Sequence, residues 1–97
     1  MEIKYTVEYH ELVVSEDIPK ISKKEKERIK KSIEEKLQSH PELFGKPLRN
    51  SLRNYRSLRV GDYRIIYRIE KAIIKIFVIQ HRSVVYKNTV TRTVVQF

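Results

Sequence analysis

Cysteine and tryptophan are absent from this chain of 97 residues, methionine occurs once, and there are only two glycines and three prolines. Without cysteine there can be neither a disulfide framework nor a thiolate metal site. Two isolated glycines, Gly45 and Gly61, cannot build a glycine-rich loop that cradles phosphates. His10, His40 and His81 are scattered without metal-ligand spacing, so neither a metal nor another cofactor is expected. No apolar run approaches the roughly 20 residues of a membrane span, and the opening Met-Glu-Ile-Lys-Tyr does not read as a signal peptide. The expectation is a cytoplasmic chain with no membrane partner. Acidic residues are also in short supply, 12 against 21 Lys and Arg, which gives a net charge of +9. Such a field on so short a chain suits nucleic acid or an acidic protein. Hydrophobic residues at 40% argue for a folded chain despite 34% charged residues, and the length suits one domain, 1–97, with a modest core.

What is present centres on residues 55–67, Tyr-Arg-Ser-Leu-Arg-Val-Gly-Asp-Tyr-Arg-Ile-Ile-Tyr. The run reads as two strands joined by Gly61-Asp62, with Gly61 at the turn position that needs positive φ. That loop fixes the register: Val60 faces Tyr63, Arg59 faces Arg64, and Leu58 faces Ile65. Alternation places Leu58, Val60, Tyr63 and Ile65 on one face and Ser57, Arg59, Arg64 and Ile66 on the other. Like charges directly opposed repel, so Arg59 beside Arg64 marks a face that is either simply solvated or meets an anion.

Around the hairpin, residues 2–9 alternate as a half-buried strand, with Ile3, Tyr5, Val7 and Tyr9 on one side. Residues 10–21 suit a short helix or turn. Ser22 to Ser39 reads as the clearest helix: Ser22 and Glu25 form a capping box, and Ile29, Ile33 and Leu37 recur on one face. Its other faces, dense in Lys and Glu, read as a solvated surface with i,i+4 pairs or as an RNA-contacting surface. His40-Pro41 ends that helix, and residues to Pro47 form a loop. Glu70-Lys71 marks a second turn. Ile73 to His81 reads as a central strand, with Ile74, Ile76 and Val78 toward the helices and Ile73, Lys75, Phe77, Ile79 and His81 on the open face. Thr89 to Phe97 alternates weakly and suits an edge strand. The sum is an α+β fold, β-α-α-β-β-β: an antiparallel sheet of about four strands with two helices from the N-terminal half on one face and a concave basic surface on the other.

The ordered set Leu48, Leu52, Arg59-Val60-Gly61-Asp62-Tyr63-Arg64, His81-Arg82 and Tyr86 resembles RelE-type toxins of the RelE/ParE superfamily, the ribosome-dependent messenger-RNA endonucleases of toxin–antitoxin modules. The resemblance runs from the first strand to about Tyr86. It implies cleavage without a metal: the ribose 2′-OH attacks the adjacent phosphate, and the protein loosens its proton, stabilises charge on phosphorus and protonates the 5′-oxygen. By the resemblance Arg64 contacts the scissile phosphate, Arg82 closes the site, and Tyr86 activates the 2′-OH or stacks on a base. His81 is the histidine placed to act as general acid. Arg59 and Arg56 hold substrate phosphates, Arg56 only if its strand twists or bulges, and Lys75 is a further cation for substrate. Tyr55 and Ser57 stand where some relatives carry two lysines, and Arg56, His81 or Lys75 are the available substitutes. The implied partners are a RelB-like antitoxin, the ribosome and messenger RNA. The ParE branch of the superfamily supplies a different expectation, a gyrase inhibitor without nuclease chemistry, and a third is a basic module that only pairs with its antitoxin.

Overall fold

A computed structural model of the chain describes residues 4–92. The strands are β1 (Thr6–Tyr9), β2 (Lys46–Pro47), β3 (Arg56–Val60), β4 (Tyr63–Glu70) and β5 (Ile73–His81), and they form one sheet in the order β1-β5-β4-β3-β2. The hairpin has the expected register, with Val60, Arg59 and Leu58 opposite Tyr63, Arg64 and Ile65, and Gly61 takes a φ of 60°. Between β4 and β5 the turn is Lys71-Ala72, one residue later than the sequence suggests, because Glu70 still pairs with Ile73.

The sheet has five strands where about four are expected, because Lys46–Pro47 pairs with Arg56 and Ser57 at the edge. It is antiparallel except at its other edge, where β1 runs parallel to β5, Thr6 beside Ile73 and Tyr9 beside Ile76. The helical segments after β1 carry the chain across one face before β2–β5 are laid down, which leaves β1 beside the last strand, in parallel.

Those segments are a wide helical turn at Val13–Asp17, a tight one at Ile18–Lys20, and α1 (Lys23–Ser32), which widens into a π-type turn at Ile33–Leu37. Ser22 caps α1 by accepting from the Glu25 N–H at 3.3 Å. The reciprocal half of the capping box is replaced, since the Glu25 carboxylate accepts from Arg28 at 3.1 Å. Ile29, Ile33 and Leu37 pack with Val13 and Ile21 on Leu58, Val60, Ile65, Tyr67, Ile74, Ile76 and Ile79. Each such side chain, fully withdrawn from water, contributes about 1.5–3 kcal/mol before entropy is counted.

The other face of the sheet is not fully open. The stretch expected to be an edge strand begins instead as a helix, α2 (Val85–Arg92), while residues 93–97 lie outside the described part. Val85, Thr89 and Arg92, at spacings of four and three, are buried, and Val85 packs with Leu52, Tyr55, Ile66, Phe77 and Val78.

A β-bulge at Phe77 also redistributes β5. Ile66 faces Val78 and Tyr67 faces Ile76, so Phe77 is the extra residue. Parity therefore flips beyond it: Val78 joins Phe77 under α2, and Ile79 turns to the α1 core, the reverse of the simple alternation. His81 is carried with Ile79 to the side of Tyr63, away from Lys75.

Past Tyr9 the edge of β5 loses its partner strand, and a buried ion pair takes over. Asp17 Oδ2 accepts from the Ile79 N–H at 3.0 Å, and Arg92 Nη1 donates to the Phe77 carbonyl at 3.0 Å. The two side chains join each other at 2.6 and 3.1 Å. This clasp ties α2 to the helical turn after β1.

Candidate active site

The turn end of the β3–β4 hairpin lies beside the end of β5, because Tyr63 pairs with His81 and the Arg82 N–H donates to the Asp62 carbonyl at 2.8 Å. Arg59, Arg64 and Gln80 consequently form one cross-strand row on the α2 side of the sheet. Arg59 is exposed. Arg64 is half-buried, and its Nη1 donates to the turn carbonyls of Gly61 and Tyr63 at 3.1 and 3.0 Å, which fixes the guanidinium at the turn. Arg82 is exposed and loosely held, with Nε 3.8 Å from Asp62 Oδ1. Tyr86, on the first turn of α2, reaches across the sheet so that its hydroxyl lies 3.1 Å from Ser57 Oγ. Ser57 and Arg59 are two residues apart on β3 and share a face. Arg59, Arg64, Arg82 and Tyr86 thus come together at one end of the sheet.

The remaining expected residues are placed elsewhere. Arg56 keeps the parity of Leu58 and donates to the carbonyls of Glu42 and Gly45, both at 3.0 Å, so it braces a loop. Lys75 lies across from Arg68 toward the opposite end of the sheet from that row, 3.6 Å from Glu70. A hydrogen bond from Arg68 holds the Glu70 carboxyl below the usual carboxylate range, and Arg68 itself stacks over Tyr55 and Phe77. His81 stands at the right end of the sheet but on its other side, with Nδ1 2.8 Å from Ser83 Oγ and its ring edge-on to Tyr63.

Three further contributors join the cluster. Of these, Arg28 carries no local signal in the sequence, while Asp62 and Ser57 belong to the hairpin but their partners come from outside it. Arg28 of α1 lies against the hairpin turn: a Cβ on Gly61 would sit 3.1 Å from its Nη1. Asp62 pairs with Arg82, and Ser57 meets Tyr86. Only the fold brings Arg28, and the partners Arg82 and Tyr86, to the hairpin. Among the described residues there is no group of three His, Asp or Glu side chains that could hold a metal ion. No helix among them is long and apolar enough to cross a membrane.

Three guanidiniums offer forked donors that suit an oxyanion, and a phenol beside a serine hydroxyl can pass a proton. Residues 7–86 match the family described as "ParE toxin of type II toxin-antitoxin system, parDE". The chain belongs to this family. This ParE-family toxin is 42% identical over 53 residues to a protein named Toxin RelE from Mycobacterium tuberculosis. That match spans 53% of the chain and 55% of the relative, so it covers about half the length of each. The fold resembles the crystal structure of the toxin–antitoxin complex RelBE2 from Mycobacterium tuberculosis, with a TM-score of 0.76 and 29% identity, over 84% of this chain and 94% of that one. The chain is thus a type II toxin of the RelE/ParE superfamily, with the superfamily's α+β fold.

Proposed function

We propose that this toxin is a metal-independent endoribonuclease that cleaves messenger RNA in the ribosomal A site. The observation that carries the reading is the gathering of Arg59, Arg64 and Arg82 with the Tyr86–Ser57 pair at one end of the sheet. In the reaction the 2′-oxygen attacks phosphorus and the bond to the 5′-oxygen breaks. The products are a 2′,3′-cyclic phosphate and a 5′-hydroxyl. Arg64 neutralises the charge that builds on the phosphoryl oxygens, and its tether to the turn carbonyls means little reorganisation at the moment of reaction. Arg82 and Arg59 hold the flanking phosphates, Arg82 swinging from the weakly held Asp62. In this scheme the 2′-OH proton leaves through the Tyr86 phenol, which Ser57 orients, to solvent, and the 5′-oxygen takes up a proton from solvent. His81 enters as general acid only if the RNA wraps the end of the sheet, because its ring lies on the far side. Arg56 and Lys75 take no part in this scheme.

The partner in this reading is a RelB-like antitoxin, supported by the structural likeness to the toxin of a toxin–antitoxin complex. A second reading, gyrase inhibition without RNA cleavage, is favoured by the family name and by Tyr55 and Ser57 standing where some RelE-type relatives have lysines. Primer extension on messenger RNA in translating ribosomes separates the two. Cuts within the A-site codon by wild-type protein, lowered about 10²–10³-fold in Arg64→Ala, are the expected result. An intact message beside a toxic wild-type protein overturns the endonuclease reading.

A further inference from the structure

A cleft of about 240 Å³ opens where β1 stops covering β5, between the helical turn after β1, the end of β5 and the start of α2. Its walls include Tyr63, Ile79, His81, Val84, Lys20 and Asn88. Tyr63 and His81 stand at 81° to each other with ring centroids 5.9 Å apart, so they form an aromatic corner. The polar wall is held in place: Asn88 Nδ2 donates to Gln80 Oε1 at 2.7 Å, and Gln80 Nε2 donates to Asp17 Oδ1 at 2.8 Å. Asp17 is in turn locked to the buried Arg92. The Asn88 carbonyl oxygen is therefore a fixed acceptor on the rim of a cleft that has aromatic, aliphatic and polar walls, and Lys20 supplies a cation at the edge.

The neighbours of these rings make the cleft more than a void. Tyr63 precedes Arg64 and His81 precedes Arg82, and alternation sends each ring and its arginine to opposite sides of the sheet end. A chain with alternating planar and anionic groups, passing around that end, meets arginines on one side and aromatic rings on the other. We propose that the cleft is a nucleobase subsite, which takes the base of a nucleotide next to the phosphodiester held by Arg64 and Arg82. The inference rests on the proposal that RNA is the substrate. Its volume suits one heterocycle, stacked on Tyr63 and hydrogen-bonded to Asn88.

The test is equilibrium binding of a fluorescent hexaribonucleotide, made uncleavable by 2′-deoxy substitution, to the whole protein at low salt. A matched series moves one abasic nucleotide along the strand. At one position the missing base is expected to weaken binding about 10-fold or more, the range of a single base–aromatic stack. Tyr63→Leu, or Asn88→Leu if the first variant does not fold, should bind base-bearing and abasic strands alike. An abasic penalty that is equal at all positions, or that persists unchanged in both variants, overturns the subsite. Base-dependent binding at this cleft together with an uncut message on ribosomes would keep the subsite and remove the endonuclease reading. Failure of the hexanucleotide to bind at all overturns the subsite, and leaves the endonuclease reading to the ribosome assay.

Discussion

The Tyr86 hydroxyl lies 3.1 Å from the Ser57 hydroxyl, although the two residues are 29 apart in the chain and belong to a helix and a strand. This contact hands Tyr86 from α2 to the arginine end of the sheet. If the phenol moves a proton in the reaction, Tyr86→Phe should lower kcat by about 10²-fold or more with little change in KM. Ser57→Ala should have a smaller effect of the same sign. Single-turnover cleavage on programmed ribosomes measures both, and an unchanged rate in Tyr86→Phe would reduce the side chain to a stacking role.

The clasp between Asp17 and Arg92 should dominate the stability of α2. Arg92→Leu strips the partner from a carboxylate whose side chain is 1% exposed, and should cost about 3–5 kcal/mol. The double replacement with Asp17→Leu should cost less than the sum of the single changes, since it removes the buried charge as well. It will not be neutral, because the Ile79 N–H and the Phe77 carbonyl lose their partners. Urea unfolding of the three variants gives the coupling energy, and strict additivity would contradict the clasp.

What was legible in the sequence followed from short-range rules. Gly61-Asp62 between two alternating strands gave the hairpin register residue for residue, and with it the Arg59–Arg64 pair. The α1 stripe of Ile29, Ile33 and Leu37 was readable for the same reason. Long-range partners were not readable. The C-terminal Thr and Val residues fit a strand by propensity, yet Val85, Thr89 and Arg92 also fit a helix face, and Asp17, 75 residues upstream of Arg92, helps select the helix. No residue type marks the bulge at Phe77, so the exchange of Val78 and Ile79 between faces, and the departure of His81 from the arginine side, could not be seen. Arg56 was legible as off-face from its parity, and its bonds to Glu42 and Gly45 supply the reason. Lys75 was visible as a polar break in an apolar strand, but its pairing with Glu70 depends on the β4–β5 register.

His10 should impose a pH dependence on stability. It is 3% exposed, its Nδ1 accepts from the Leu12 N–H at 3.0 Å, and burial, with Arg92 nearby, pushes its pKa below the ordinary value of 6.5. The unfolded chain therefore takes up a proton at a higher pH than the folded one. The stabilisation from keeping His10 neutral is complete above about pH 6.5 and declines as pH falls from there through the lowered folded-state value. Denaturation midpoints between pH 7.5 and 5.5 should fall in the wild type, with a shallower slope in His10→Phe. Equal slopes would assign the acid sensitivity to other groups.

Gly45 should tolerate substitution less well than Gly61, although both have positive φ. A Cβ on Gly45 would run into the Tyr67 hydroxyl oxygen, and the ring behind it is fully buried. That hydroxyl reaches the carbonyls of Pro41 and Phe44, so it has no free direction in which to retreat, and burial pushes its pKa up. Gly45→Ala thus combines a left-handed backbone, about 1–2 kcal/mol, with overpacking, about 1–3 kcal/mol. Gly61→Ala carries the backbone cost alone, because the neighbour it would press is the end of the flexible Arg28 side chain. The background Tyr67→Phe distinguishes the two contributions. Removing the hydroxyl should relieve part of the Gly45→Ala penalty and none of the Gly61→Ala penalty. A double-mutant cycle by urea unfolding reads this directly, and zero coupling between positions 45 and 67 would show that the loop moves away as a unit.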